Sequence, residues 1–421
     1  MLWQPSLPEA YRRLAPDALA QAIDRRRAQL GERLVVLGHH YQTDEVIRHA
    51  DITGDSLKLS QAAAGLAADP SRATPLEFVI FCGVHFMAES ADMLTPDSVR
   101  VILPDLSAGC SMADMAQYDD TVQAWDAMHD ALRARGWGGR IIPVTYVNSS
   151  AAIKAFVGDR GGACCTSSNA REVLRWALAG GDEPASPGED VKVLFLPDQH
   201  LGRNTAAKEG IDVAAHSAVY DPKRARKGEA LGGMTDDQLF DARVVLWAGH
   251  CSVHKLFRPE HCAQVRERDR REGTRTTILV HPECAKEVVD LADLDGSTEF
   301  IIRTIREAPP GSRWAVGTEV HLVTRLAREA AARGVDVRIL SDCQCLCTTM
   351  YRIDEPHLLW VLDNLVGAFD GRGGGREGRP RVVNEIRVPP RVRTSALLAL
   401  DRMLALSPRG AGQPLRMVAA D

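Results

Sequence analysis

LVVLGHHY (34–41), ADIT (50–53), FVIFCGV (78–84) and VRVILPD (99–105) follow one another in the first quarter of the chain and lead to Cys110. Each is a short run rich in Val, Ile and Leu, and the segments between them carry a helical period. That alternation predicts parallel strands buried on both faces and joined by helical crossovers. The same order returns twice. IIPVTYVN (141–148), ACCTSS (163–168), VKVLFLPD (191–198) and ARVVLWAG (242–249) lead to Cys251. TTILVHPE (276–283), LADLDGST (291–298), RWAVGTE (313–319) and VDVRILSD (335–342) lead to a cluster ending at Cys347. The expected class is α/β: three pseudo-symmetric repeats, each a small parallel sheet with flanking helices in three layers.

The repeats set the expected domains: an N-terminal helical segment (1–33), α/β domains at 34–137, 138–273 and 274–360, and a tail at 361–421. The interval from Pro197 to Cys251 is the long one and needs an insertion. YDPKRARKGEALGGMTDDQ (220–238) supplies it, charged and without apolar period, and reads as a loop or flap. In the tail, GRGGGREGRP (371–380) reads as a flexible connection between the helices HLLWVLDNLVGAF and TSALLALDRMLAL, which are expected to pack as an appendage.

Composition narrows the function. The chain has 421 residues, 45% of them hydrophobic, enough for more than one core. Its 51 Lys+Arg against 56 Asp+Glu give a formal charge of −5, with no basic stripe, so a nucleic-acid partner is not expected. No run approaches a bilayer span and the start lacks a leader pattern, so the expected location is cytoplasmic, with no membrane partner. Ten cysteines without a CxxC read as buried thiols or metal ligands rather than as a disulfide framework.

Recurring residue types stand where parallel sheets bind ligands, beyond the carboxyl ends of the strands. After the first strand come His39 with Tyr41, Tyr146 with Asn148, and His281 with Glu283. Strand alternation would turn each pair to one face, where a carboxylate could act as base and a Tyr as acid or orienter. After the second come Gly54-Asp55-Ser56, Thr166-Ser167-Ser168 and Gly296-Ser297-Thr298, each expected to cap a helix, with anion binding at the same N-termini as the functional alternative. If the three domains meet with these ends inward, one central metal site receives Cys110, Cys251 and one of Cys343, Cys345 and Cys347. Three thiolates suit a [4Fe–4S] cluster with one open iron, a Lewis acid for a hydroxyl or carboxylate; zinc is the competing metal. Cys82, Cys164, Cys165, Cys262 and Cys284 lack the repeat and are read as core thiols.

GHHYQ, GDSL, GVHFMAE, PDLSAGCSMAD, TYVNSSA, CTSSNA, LPDQHLG, GHCSVH, HPEC, GSTEFI, VGTE and CTTM, between about residues 34 and 351, together resemble the quinolinate synthase family. The resemblance implies three α/β domains around a [4Fe–4S] cluster with three Cys ligands and one open iron. It implies condensation of iminoaspartate with dihydroxyacetone phosphate to quinolinate for NAD synthesis, through carbon–carbon bond formation, loss of phosphate, ring closure and loss of water. It further implies an L-aspartate oxidase as supplier of the unstable imine. Motif by motif, the implied ligands are Cys110, Cys251 and Cys347. CTTM departs from the family's Cys-Pro-x-Met at Thr348, so Cys345 stays a second candidate, and the crowding of three thiols leaves a regulatory disulfide open. Tyr41, His281 and Glu283 are the implied proton-transfer residues. His39, Ser56, Tyr146, Asn148, Ser167, His254, Ser297, Thr298 and Thr318 are the implied substrate-binding ones. Two competing readings remain: an iron–sulfur hydro-lyase acting on another small hydroxy acid, and a non-enzymatic iron–sulfur or zinc redox sensor.

Overall fold

The computed structural model describes residues 4, 6–342, 345–368 and 379–407. Cys343 and residues 371–378 of the Gly-rich tract lie outside them. The chain divides into two compact units, one of residues 1–110 and 346–389, the other of residues 111–345 and 390–421.

The first unit holds one sheet. Its strands β1 (Leu34–His39), β2 (Ile52–Gly54), β3 (Phe78–Cys82) and β4 (Arg100–Ile102) lie in the order β4-β3-β1-β2, all parallel. All six residues of β1 are buried, as expected of a strand covered by helices on both faces. A two-residue strand, Glu385–Ile386, which the sequence pattern did not foretell, pairs antiparallel with β4. Helix Glu355–Val366 packs on helix Pro16–Leu30, where Asp363 accepts from Tyr11 Oη at 2.9 Å and from Arg26 Nε at 2.7 Å.

The second unit holds two parallel sheets. In one, β5 (Arg140–Tyr146), β6 (Ala163–Cys165), β7 (Val191–Leu196), β8 (Ser217–Tyr220) and β9 (Val244–Trp247) are ordered β6-β5-β7-β9-β8. In the other, β10 (Thr276–Val280), β11 (Leu294–Asp295), β12 (Arg313–Gly317) and β13 (Asp336–Ile339) are ordered β11-β10-β12-β13. Without β8 and Glu385–Ile386, every sheet runs second, first, third, fourth strand. The repeat seen in the sequence is therefore a repeat of topology. Each sheet reverses direction between its first and third strands, the switch point where such sheets form a binding crevice.

The insertion contains more than a loop. It begins upstream with β8, whose Tyr220 is fully buried and stacks on Trp247 at 5.2 Å between ring centroids. Residues 220–238 then form helix Pro222–Ala225 and lead into helix Asp236–Asp241, which starts with a Thr235/Gln238 capping box. Arg226 ties the stretch to Asp120 at 3.0 Å.

Local chemistry starts the helices that follow the strands. Asp55 caps helix Ser56–Ala68, Asp198 caps Gln199–Lys208, Ser297 caps Thr298–Arg306 and Glu319 caps Val320–Ala331. At Thr166-Ser167-Ser168 the expected cap is displaced: Asn169 is the N-cap of helix Ala170–Leu178, and its Oδ1 accepts from the Thr166 N–H at 2.7 Å and hydroxyl at 3.0 Å. The carboxamide closes the four-residue turn, so Ser167 lies in that turn instead of starting the helix. Helix Pro390–Ala405 packs on helix Ala151–Asp159, and Gly158 permits the approach, since a Cβ there would lie 1.9 Å from the Ser395 carbonyl oxygen. Among the described residues no helix is long and apolar enough to cross a membrane.

Candidate active site

The site in the second unit is assembled at the carboxyl ends of β5, β7, β9, β10 and β12. His281 follows β10, and its N–H donates to the Gly317 carbonyl at 3.1 Å, across the switch point. The chain then turns so that the Glu283 N–H donates to His281 Nδ1 at 3.3 Å. Both side chains are buried. Asn204, from helix Gln199–Lys208, clamps this turn by donating to the carbonyls of Pro282 at 2.8 Å and Cys284 at 2.9 Å.

His254 arrives from the short helix after β9 and is 1% exposed. Its Nδ1 meets Glu283 Oε2 at 2.9 Å and its Nε2 meets Thr318 Oγ1 at 3.2 Å, so both ring nitrogens are engaged. The rings of His254 and His281 stack at 4.5 Å and 16°. Tyr146, at the end of β5, also hydrogen-bonds Glu283. The Cys251 sulfur is half-buried and forms a tight group with a nitrogen of His254 and an oxygen of Glu283, all within 4.8 Å of one another. Sulfur, nitrogen and oxygen donors at that spacing are capable of holding a metal ion.

Electrostatics separate the two carboxyls of the site. Burial pushes Glu283 up, but His254, His281 and the hydrogen bonds from His254 and Tyr146 together outweigh it and hold the carboxyl below its ordinary range. Asp198, fully buried after β7, moves the other way: burial and the charge of Glu283 hold it well above the usual carboxylate range, despite the N–H groups of Leu201, His200 and Cys251. The two neighbouring carboxyls are thus driven in opposite directions, Glu283 toward the ionised form and Asp198 toward the protonated one. His281 is pushed down to about 3 by burial, so its ring is neutral, and Nδ1, accepting from Glu283, leaves the proton on Nε2.

Tyr146, Cys251, His254, His281, Glu283 and Thr318 are thus brought together. Asn148 is half-buried just past β5, Ser167 half-buried in the Asn169 turn, and Ser297 and Thr298 are buried at the start of their helix. In the first unit, the Tyr41 N–H donates to His39 Nδ1 at 3.1 Å and the rings meet edge to face at 4.8 Å. His39–Tyr41 and His281–Glu283 therefore share one turn. The relation between i and i+2 comes from that turn, not from strand alternation, because β1 ends at His39 and β10 at Val280. Ser56 is buried in the first turn of its helix.

The cysteines divide by exposure. Of the nine described, Cys110, Cys251 and Cys347 are half-buried, whereas Cys82, Cys164, Cys165, Cys262, Cys284 and Cys345 are buried. Cys345 points its sulfur to Ser341 Oγ at 3.1 Å, while Cys347 lies 3.6 Å from Thr349 Oγ1. Asp198 and Asn204 escaped the sequence reading. The Pro-Asp pair after β7 looked like a turn, and only the adjacent helix start hinted that its carboxyl is enclosed; Asn204 carried no signal.

A family model described as "Quinolinate synthetase A protein" matches residues 21–405. The chain is similar to the quinolinate synthase of Nocardioides sp., with 51% identity over 390 residues, 92% of this chain and 89% of the relative. It is similar to that of Acidobacterium capsulatum, with 49% identity over 397 residues, 94% and 95% of the two chains. It is also similar to that of Streptomyces coelicolor, with 48% identity over 391 residues, 93% and 89%.

Proposed function

The chain belongs to the quinolinate synthetase A family, and from that premise we propose that it condenses iminoaspartate with dihydroxyacetone phosphate to form quinolinate for NAD synthesis, releasing phosphate and water. The observation that carries the proposal is the buried network of Glu283, His254, His281, Thr318 and Tyr146 at strand ends. It is a preorganised acid/base device in which an ionised carboxylate is held by hydrogen bonds from His254 and Tyr146.

The residues fit a cluster with three thiolate ligands. Cys110, Cys251 and Cys347 are half-buried, and each follows the fourth strand of a repeat, while the neighbouring Cys345 is enclosed. We propose these three as ligands of a [4Fe–4S] cluster. When bound, it supplies an iron with an open position, a Lewis acid toward a substrate hydroxyl or carboxylate.

The protein's own groups do the rest. Glu283 takes a proton from the carbon or nitrogen that becomes nucleophilic, and its hydrogen bonds to His254 and Tyr146 fix the oxygen that does so. His281 presents Nε2–H as a donor and stays uncharged. Tyr41, oriented by its turn with His39, is the proposed second proton-transfer group. Asn148, Ser56, Ser167, Ser297, Thr298 and Thr318 supply hydrogen-bond donors for carboxylates, Ser56 and Thr298 at helix starts where the N–H groups and dipole favour anions. An L-aspartate oxidase is the proposed supplier of the imine, and the cytoplasm the proposed location. The test is anaerobic: reconstitute the protein, count iron and sulfide, and assay quinolinate from dihydroxyacetone phosphate and enzymatically generated iminoaspartate. Product with about four irons per chain supports the proposal; a cluster without product rejects the substrates, and zinc without iron rejects the cofactor.

A further inference from the structure

β7, β9 and β8 are neighbours in the second sheet, and the segments leaving their carboxyl ends carry five basic side chains. His200 and Arg203 stand in the first turns of helix Gln199–Lys208, His250 and Lys255 follow β9, and Lys223 follows β8. They act on one another. His200 is pushed down to about 4 by burial and then by the charges of Arg203, His250 and Lys255, against Glu287.

Basic groups gathered in this way are normally neutralised by carboxylates, and here they are not. Lys255 Nζ donates to His250 Nε2 at 3.3 Å, a cation spending its bond on another basic residue. Arg203 is half-buried, yet its guanidinium has no ion pair or hydrogen bond among the described residues. His200 Nδ1 is buried without a hydrogen-bond partner. The carboxyls facing the group are exposed Glu287 and Asp198, which is already occupied in capping the helix. Keeping the cations Arg203, Lys255 and Lys223 near one another without a paired carboxylate costs free energy that an anion would return.

We propose that His200, Arg203, Lys223, His250 and Lys255 form the binding site for a doubly charged oxyanion, either the phosphate of a phosphorylated substrate or the inorganic phosphate released from it. The proposal rests on the condensation proposed above, which requires a phosphate ester to enter and phosphate to leave. It assigns the phosphate to the charged Arg203, Lys255 and Lys223, with the Arg203 fork matched to two phosphate oxygens and the imidazoles of His200 and His250 as hydrogen-bonding groups beside them. The hydroxyl-bearing helix starts are then free for carboxylates. His250 adjoins Cys251, so the site borders the acid/base network without sharing its residues.

The test is calorimetric titration of the anaerobically purified holoprotein with inorganic phosphate and, in a second arm, with dihydroxyacetone phosphate alone. Wild type is compared with Arg203→Gln, Lys255→Gln and the charge-retaining Arg203→Lys, each checked for native circular dichroism. The expected result is about tenfold weaker phosphate binding in each Gln variant and partial recovery in Arg203→Lys. Binding of both ligands supports a substrate site, and binding of inorganic phosphate alone supports a leaving-group site. No binding by wild type at millimolar phosphate, or equal binding by folded Gln variants, overturns the proposal. If wild type binds and the Gln variants do not, yet wild type makes no quinolinate from both substrates, the anion site stands and the proposed reaction falls. If quinolinate forms with an unchanged KM for the phosphate ester in both Gln variants, the reaction stands and the site falls.

Discussion

Two polar clusters occupy neighbouring strand ends of the second unit and are built on opposite terms. In one, Glu283, His254, His281 and Thr318 are almost wholly buried and bonded to one another. In the other, the cations Arg203, Lys255 and Lys223 and the imidazoles of His200 and His250 are half-buried or exposed, with the Lys255–His250 bond the one described among them. Burial with full pairing fixes geometry and protonation. Exposure without pairing leaves charge available to a ligand. The contrast matches the roles proposed for them, chemistry at the first cluster and capture at the second.

The largest expected effect comes from cutting the first cluster at its carboxylate. Glu283→Gln keeps the shape and removes the base, so quinolinate formation should fall about 10²–10⁴-fold while iron and sulfide content stay unchanged. Retained activity would remove the acid/base assignment. Thr318→Val leaves His254 Nε2 buried without its partner, and urea unfolding should show a loss of about 1–3 kcal/mol.

Acid tests the same cluster. His281 is held near 3, well below the roughly 6.5 of an unfolded histidine, so between those values the unfolded chain binds the extra proton and stability falls as pH falls. Lowering pH from 6.5 to 5.5 should cost about 1 kcal/mol, and His281→Gln should flatten that slope. Glu283, with its depressed value, contributes stability that is lost as pH falls from its ordinary 4.5 toward about 2, a window that overlaps the acid end of that of His281. The smallest effect belongs to the second cluster: Lys223→Gln, at its exposed rim, should weaken phosphate binding by about two- to fivefold at low salt and by less at 0.5 M salt.

How much was legible in the sequence follows from the same physics. Runs such as VKVLFL announce themselves because a strand covered on both faces must be apolar throughout, and β7 is buried at every residue. SAVY at β8 and the Glu385–Ile386 pair carry no such run; their pairing is decided by the edge they meet, which lies far away in sequence. His281 and Glu283 were legible as a strand-end pair. The turn that joins them, and the Asn204 clamp holding it, depend on contacts no spacing displays. Asp198 resembled a turn residue, and no spacing shows that among the described residues neither Arg203 nor Lys255 forms an ion pair.

The division of the cysteines also makes the protein a reporter of its own reduction state. Burial drives the thiols of Cys82 and Cys164 up to about 12 and those of Cys165, Cys262 and Cys284 upward as well, so at neutral pH they hold their protons and resist alkylation. Cys110, Cys251 and Cys347 are only half-buried. Brief treatment of the native protein with iodoacetamide, followed by peptide mass mapping, should therefore label these three first among the described cysteines, and a metal load that blocks them would be read as missing label.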